Sequence, residues 1–152
     1  FAGDPVLNLA SGCQRVLKQS LTGRAPVFDA IEFLEREGAA LTFRPANRRV
    51  ALHLPCTQRV EKTDGALRRL LSRVPGLDLI ELPDTGCCGA AGLHMINEPE
   101  RADKFRRPLI ESLQAANATE LLSANIGCRL HLANAAPIPV RHPIDFLAEH
   151  LA

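Results

Sequence analysis

Val50-Ala51-Leu52-His53-Leu54-Pro55-Cys56 is a short apolar run that ends on proline and cysteine, and the chain makes the same move again further on. Leu79-Ile80-Glu81-Leu82 leads into Cys87-Cys88, and Leu121-Leu122-Ser123-Ala124 leads into Gly127-Cys128. Runs of this length, rich in Val, Leu and Ile, read as buried strands, and amphipathic stretches stand between them. Such alternation is the signature of an α/β domain with a largely parallel sheet. The expected architecture is Rossmann-like: a mostly parallel sheet flanked by helices. The cysteines then fall near strand carboxyl ends, where open α/β sheets bind their ligands.

Working outward, strands are expected at residues 5–10, 49–54, 77–82, 120–124 and 138–141. Helices are expected at 14–21, 27–37, 64–74, 89–96, 98–116, 129–134 and 143–150. Phe28, Ile31, Phe33 and Leu34 recur at helical spacing, and Pro75-Gly76 stops the helix that Asp64 starts. Pro108 is expected to kink the longest helix or split it, because proline removes a helical hydrogen bond and crowds the preceding turn.

The 152 residues, 46% of them hydrophobic, suffice for one sizeable core. Lys and Arg number 18 against 17 Asp and Glu, so a net charge of +1 leaves no electrostatic footprint for nucleic acid or an anionic membrane. Trp and Tyr are absent and Phe numbers six, which removes the stacking platforms of single-strand binders. Charges interrupt every apolar stretch before it reaches membrane-spanning length, so no span is expected and the chain reads as soluble. An odd total of five cysteines does not suit a secreted disulfide scaffold. A reducing, cytoplasmic setting with metal or redox use fits better.

Cys87 and Cys88 are neighbours within Thr85-Gly86-Cys87-Cys88-Gly89-Ala90-Ala91-Gly92. Adjacent side chains on an extended backbone point to opposite faces, so a single tetrahedral ion usually takes ligands further apart. A multi-iron cluster offers separate metal atoms to separate thiolates and suits the pair better. Cys56, Cys87, Cys88 and Cys128 are therefore the candidate cluster and metal ligands, and helix amino termini beside them would offer N–H donors to an anionic site. The alternatives are a structural zinc domain, a thiol/disulfide oxidoreductase cycling Cys87 and Cys88, and buried thiols acting only as small apolar residues.

Other features have plainer readings. His53, His94, His131 and His142 lie near the cysteine blocks and read as hydrogen-bonded structural residues ahead of ligands. Gly86, Gly89 and Gly92 do not form the G-x-G-x-x-G dinucleotide pattern. Arg101, Lys104, Arg106 and Arg107 read as a solvated helix face, Asp145 and Glu149 as residues that cap and solvate the last helix. No carboxylate pair stands out as general acid and base.

A weak repeat links Leu9-Ala10-Ser11-Gly12-Cys13 to Ala124-Asn125-Ile126-Gly127-Cys128. Cys13 reads as the last cysteine of an earlier copy and, without that copy's partners, as a passive thiol. Residues 1–48 are then expected to be the end of a preceding truncated copy plus a linker helix, and 49–152 one complete copy, all packed as one compact domain.

On these residues the chain resembles the cysteine-rich C-C-G domain family of heterodisulfide reductase, anaerobic glycerol-3-phosphate dehydrogenase and the iron-sulfur subunits of glycolate and lactate oxidases. His53-Leu54-Pro55-Cys56 resembles the first cysteine block, and residues 82–92 the C-C-G block. Asn125-Ile126-Gly127-Cys128 with His131-Leu132, and the ending Pro139-Val140-Arg141-His142-Pro143, are similar in particular to the carboxyl-terminal part of the glycolate oxidase iron-sulfur subunit. Two departures stand out: Asn125 replaces the first cysteine of a closing Cys-x-x-Cys, and Leu54 replaces a common Asp. The first favours a four-ligand 4Fe-4S cubane over a five-cysteine cluster.

The resemblance implies an iron-sulfur electron-transfer domain in a 2-hydroxyacid oxidase complex. There it would relay electrons from flavin-containing oxidase subunits and sit peripheral to the membrane only through partners. Alone, the chain is not expected to be a complete enzyme.

Overall fold

The computed structural model describes residues 3–152. In chain order the elements are β1 (Val6–Asn8), α1 (Gln14–Ser20), β2 (Val27–Asp29), α2 (Ala30–Glu37), β3 (Arg48–His53), α3 (Cys56–Val60) and α4 (Asp64–Ser72). They continue with β4 (Leu77–Glu81), α5 (His94–Asn97), α6 (Pro99–Ala116), β5 (Leu121–Ser123), α7 (Ile126–Ala133), β6 (Val140–Arg141) and α8 (Pro143–Glu149). A 3₁₀ turn, Ser11–Cys13, joins β1 to α1.

Four strands form one parallel sheet in the order β4-β3-β5-β6, with Val50 opposite Leu79 and Leu52 opposite Leu122. Period-two alternation along β3 splits the core. Val50 and Leu52, with Leu122 of β5, pack against Ile31 of α2, Leu67, Leu70 and Leu71 of α4 and Phe146 of α8. Ala51 and Leu121 face the other way, against Leu109 and Leu113 of α6 and Leu132 of α7. Both central strands are thus covered on both faces, as a parallel sheet requires, and the fold is α/β with helices flanking parallel strands.

The first expected strand forms outside this sheet. β1 pairs in parallel with β2, Val6 opposite Val27, in a separate two-stranded sheet. Residues 27–29 are strand rather than the start of a helix, because Asp29 caps α2 by accepting from the amides of Ile31 (2.9 Å) and Glu32 (3.3 Å). Phe28 still meets Phe33, ring centroids 5.8 Å apart, but across the strand–helix junction.

Pro108 lies inside α6 without splitting it. Leu109 and Leu113, four residues apart and both buried against the sheet, hold the helix together past the missing hydrogen bond. The helix expected at 89–96 shrinks to α5, since Gly89, Ala91 and Gly92 all have positive φ. α7 begins before the expected residue 129 because Asn125 caps it, and α3 is a helix that the sequence pattern does not foretell.

Candidate functional site

The carboxyl ends of β3, β4 and β5 open onto a cavity of about 450 Å³ bordered by Cys56, Cys87, Cys88 and Cys128. The structure thus brings the four sequence-predicted residues together. It also places Cys13, which reads from sequence as a passive thiol, on the same cavity.

Each thiol block arrives on a different element. Cys56 opens α3 directly after Pro55, so the end of β3 delivers it. Cys128 sits in the first turn of α7, with Asn125 Oδ1 accepting from the amides of Gly127 (2.9 Å) and Cys128 (3.3 Å). Those amides are therefore already engaged, so the α7 amino terminus does not offer them to a ligand, whereas α3 has no side-chain cap. Cys87 and Cys88 lie on the loop after β4. Gly89 is required there: its φ is +94°, and a Cβ would run into the Ala102 carbonyl and Phe105 of α6.

Arg59 of α3 braces this loop. Its guanidinium donates to the Gly86 carbonyl at 2.8 Å and pairs with Asp84, whose Oδ1 accepts from the Gly86 amide at 2.8 Å. The helix that carries Cys56 is thereby fastened to the loop that carries Cys87 and Cys88. Sequence reasoning misses Arg59, because a lone Arg in a short helix carries no local signal.

Cys88 and Cys128 are buried, and their sulfurs lie 2.8 Å apart. The Cys128 S–H stabilises the Cys88 thiolate against desolvation and pulls its pKa down to about 7. Holding that hydrogen bond, in a buried place, pushes Cys128 up. Burial also pushes Cys87 up, although the Gly89 amide donates to its sulfur at 3.4 Å.

No histidine borders the cavity among the described residues. His53 Nδ1 pairs with Ser123 Oγ at 2.9 Å, His94 with the Gly89 carbonyl at 2.9 Å and His131 with the Ala102 carbonyl at 3.2 Å. His142 caps α8, Nδ1 accepting from the Ile144 amide at 3.1 Å while Nε2 donates to the Leu9 carbonyl at 2.8 Å. Desolvation holds His53 down at about 4, so it stays neutral at the rear of the site. Within the basic cluster, Arg106 is more than a solvated side chain: it pairs with Asp103 and donates to the His131 carbonyl at 2.8 Å, tying α6 to α7.

The donor set is soft and thiol-rich, and the space it encloses is wider than one ion needs. Among the described residues, no three Cys, His, Asp or Glu side chains converge as they would around a single metal ion. Thiols spread around a cavity suit a group whose several iron atoms each meet a different ligand.

Comparison with known proteins points the same way. The sequence model of the cysteine-rich domain family, CCG, matches residues 50–133. The chain is 30% identical to the glycolate oxidase iron-sulfur subunit of Escherichia coli (strain K12), over 97% of this chain and 40% of that protein. It is 27% identical to a subunit of the anaerobic glycerol-3-phosphate dehydrogenase of the same organism, over 99% of this chain and 41% of that protein. Identity to a subunit of the fumarate reductase (CoM/CoB) of Methanothermobacter marburgensis is 28%, over 85% of this chain and 27% of that protein. The chain spans no more than about two fifths of the length of these relatives.

Proposed function

The chain belongs to the cysteine-rich CCG domain family, and from that premise we propose that it is an iron-sulfur electron-transfer domain whose ligands are Cys56, Cys87, Cys88 and Cys128. The observation that carries the proposal is the convergence of these thiols, from three strand ends, on one cavity. Bound there, an iron-sulfur cluster, 4Fe-4S in this proposal, would take up and release one electron at a time. The chain's own residues do the rest. Each thiol gives its proton to solvent as it ligates, and the Cys88–Cys128 pair has one proton already loosened. The Arg59 brace holds the Cys87-Cys88 loop at its distance from α3, and the Gly89 amide points at the Cys87 sulfur.

Relatives named as subunits of glycolate oxidase and anaerobic glycerol-3-phosphate dehydrogenase support a partner-dependent role. We place the domain in a 2-hydroxyacid oxidase complex, receiving electrons from a flavin subunit on the cytoplasmic side. No helix among the described residues is long and apolar enough to cross a membrane. Residues 49–152 would form one family copy, with 1–48 carrying the end of another; the similar Gly-Cys turns support this division.

A dithiol reading has one observation of its own, the 2.8 Å approach of Cys88 to Cys128. Oxidation of that pair, rather than of the vicinal Cys87 and Cys88, would form one disulfide by exchange with a disulfide substrate, which takes the two electrons and two protons and leaves as its dithiol. Anaerobic reconstitution with ferrous iron and sulfide separates the readings. The iron-sulfur reading expects bound iron and acid-labile sulfide in equal amounts, both lost in Cys88→Ser. Iron-free protein that cycles stoichiometrically with a dithiol reductant would instead favour the disulfide.

A further inference from the structure

All five cysteines of the chain border one cavity, yet Cys13 lies outside the segment that the family model matches. We propose that Cys13 supplies a fifth thiolate to the iron-sulfur group, closing the site from the side of the Ser11–Cys13 turn. This inference rests on the iron-sulfur reading above.

The turn is fastened to the site at several points. Ser11 Oγ and Thr57 Oγ1 lie 2.8 Å apart, next to Cys56, and Asn125 Nδ2 donates to the same Thr57 oxygen at 3.4 Å. The Ser11 amide reaches the Ala124 carbonyl at 3.5 Å, and His142 Nε2 holds the Leu9 carbonyl. Gly12 presses on Asn125 so closely that a Cβ there would lie 2.6 Å from Nδ2. Residue 13 is therefore set against the cavity by the fold, not left on a loose tail.

Packing does not account for a cysteine at this place. A free Cys is among the most buried residue types, whereas Cys13 is exposed, belongs to neither core cluster and engages no partner through its sulfur among the described residues. The five donors also stand at graded depths. Cys88 and Cys128 lie at the floor, Cys56 and Cys87 are half-buried, and Cys13 is at the rim. That arrangement surrounds a body with extent in depth. On ligation Cys13 would lose its proton to solvent and form one iron–sulfur bond, adding a negative charge to the site. The added charge disfavours the reduced state, so loss of Cys13 should raise the reduction potential.

The test uses the whole chain, anaerobically loaded with ferrous iron and sulfide, and compares iodoacetamide alkylation of each cysteine with that of the metal-free protein by mass spectrometry. Cys13 should be alkylated roughly tenfold more slowly in the loaded protein, alongside the other four, because a ligated thiolate is no longer a free nucleophile. In Cys13→Ala, iron and sulfide contents should stay near those of the parent while the electron paramagnetic resonance spectrum changes and the midpoint potential rises. Unprotected Cys13 beside four protected thiols overturns the proposal and leaves the iron-sulfur reading standing. So does a Cys13→Ala protein whose spectrum and potential match the parent. Failure of the parent chain to hold iron, with all five thiols equally reactive, overturns both.

Discussion

The turns at Ser11-Gly12-Cys13 and Ile126-Gly127-Cys128 have similar sequence, follow short parallel strands and face the same cavity, yet they end in different states. Cys128 is buried under α6 and belongs to the core; Cys13 is exposed. One preceding residue accounts for part of the difference. Asn125 caps α7 with its side chain, so the helix starts at once. Ala10 has no such group, and the chain passes through a 3₁₀ turn before α1 begins, with Asn8 Oδ1 accepting from the Ala10 amide at 3.1 Å. The rest lies in what covers each turn. Leu109 and Leu113 of α6 pack over the Cys128 side, and nothing comparable among the described residues lies over Cys13. Near-equal local sequence thus yields a buried thiol at the cavity floor in one case and an exposed thiol at its rim in the other.

The largest expected effect tests that assignment directly. Cys128→Ser should abolish iron incorporation in anaerobic reconstitution, measured as bound iron per chain, while Cys13→Ser should retain it. Equal loss in both variants would erase the distinction between floor and rim.

Each turn also leans on a neutral histidine: His53 holds Ser123, just before the Cys128 turn, and His142 holds Leu9, just before the Cys13 turn. Desolvation lowers both pKa values, His53 to about 4. The unfolded chain therefore binds a proton that the folded chain refuses, and stability present above pH ~6.5 falls as pH drops toward the folded value. For His53 the loss should approach about 3 kcal/mol by pH ~4, read by urea unfolding across that window. His53→Gln should flatten this slope. A slope unchanged in that variant would mean that other groups carry the acid sensitivity.

Glycine substitution sharpens the contrast further. Gly12→Ala must push the Asn125 amide aside and should cost about 1–2 kcal/mol, because it disturbs the cap of α7 as well as its own turn. At Gly127 a Cβ would meet Asn125 Oδ1 at 3.3 Å and Ala90 at 3.6 Å, and the better helix propensity of alanine offsets that crowding. Gly127→Ala should therefore change stability by no more than about 0.5 kcal/mol in the same unfolding measurement.

Substitution at position 125 separates the two roles of Asn125. Asn125→Ala should cost about 1 kcal/mol as a lost cap. Asn125→Asp keeps the acceptor for Gly127 and Cys128 and gives up only the 3.4 Å donation to Thr57, so it should recover most of that cost. Recovery by Asp would show that position 125 serves the helix, even where the family resemblance expects a cysteine.

Much of this arrangement was legible in the chain itself. β3, β4 and β5 appear within a residue or two of where their apolar runs place them: the central β3 and β5 are buried on both faces, which demands such runs, and the edge strand β4 still half-buries Leu77, Leu79 and Ile80. Cys56, Cys87-Cys88 and Cys128 follow those runs, so their meeting at strand carboxyl ends follows from topology. The helix starts at residues 29–30 and 125–126 were less legible, because Asp and Asn caps compete with hydrophobic spacing and the caps won.

What the sequence by itself determined, then, is local: which apolar runs become the central strands, that a helix ends before Pro75-Gly76, and which thiols follow strand ends. Only the tertiary structure decided that β1 leaves the main sheet to pair with β2, that Arg59 clasps the Cys87-Cys88 loop, and that Cys88 meets Cys128. It also decided that Cys13 stands on the same cavity as the other four cysteines. These contacts join residues far apart in the chain, and their formation depends on side chains filling shared space. No periodicity along a single segment records that.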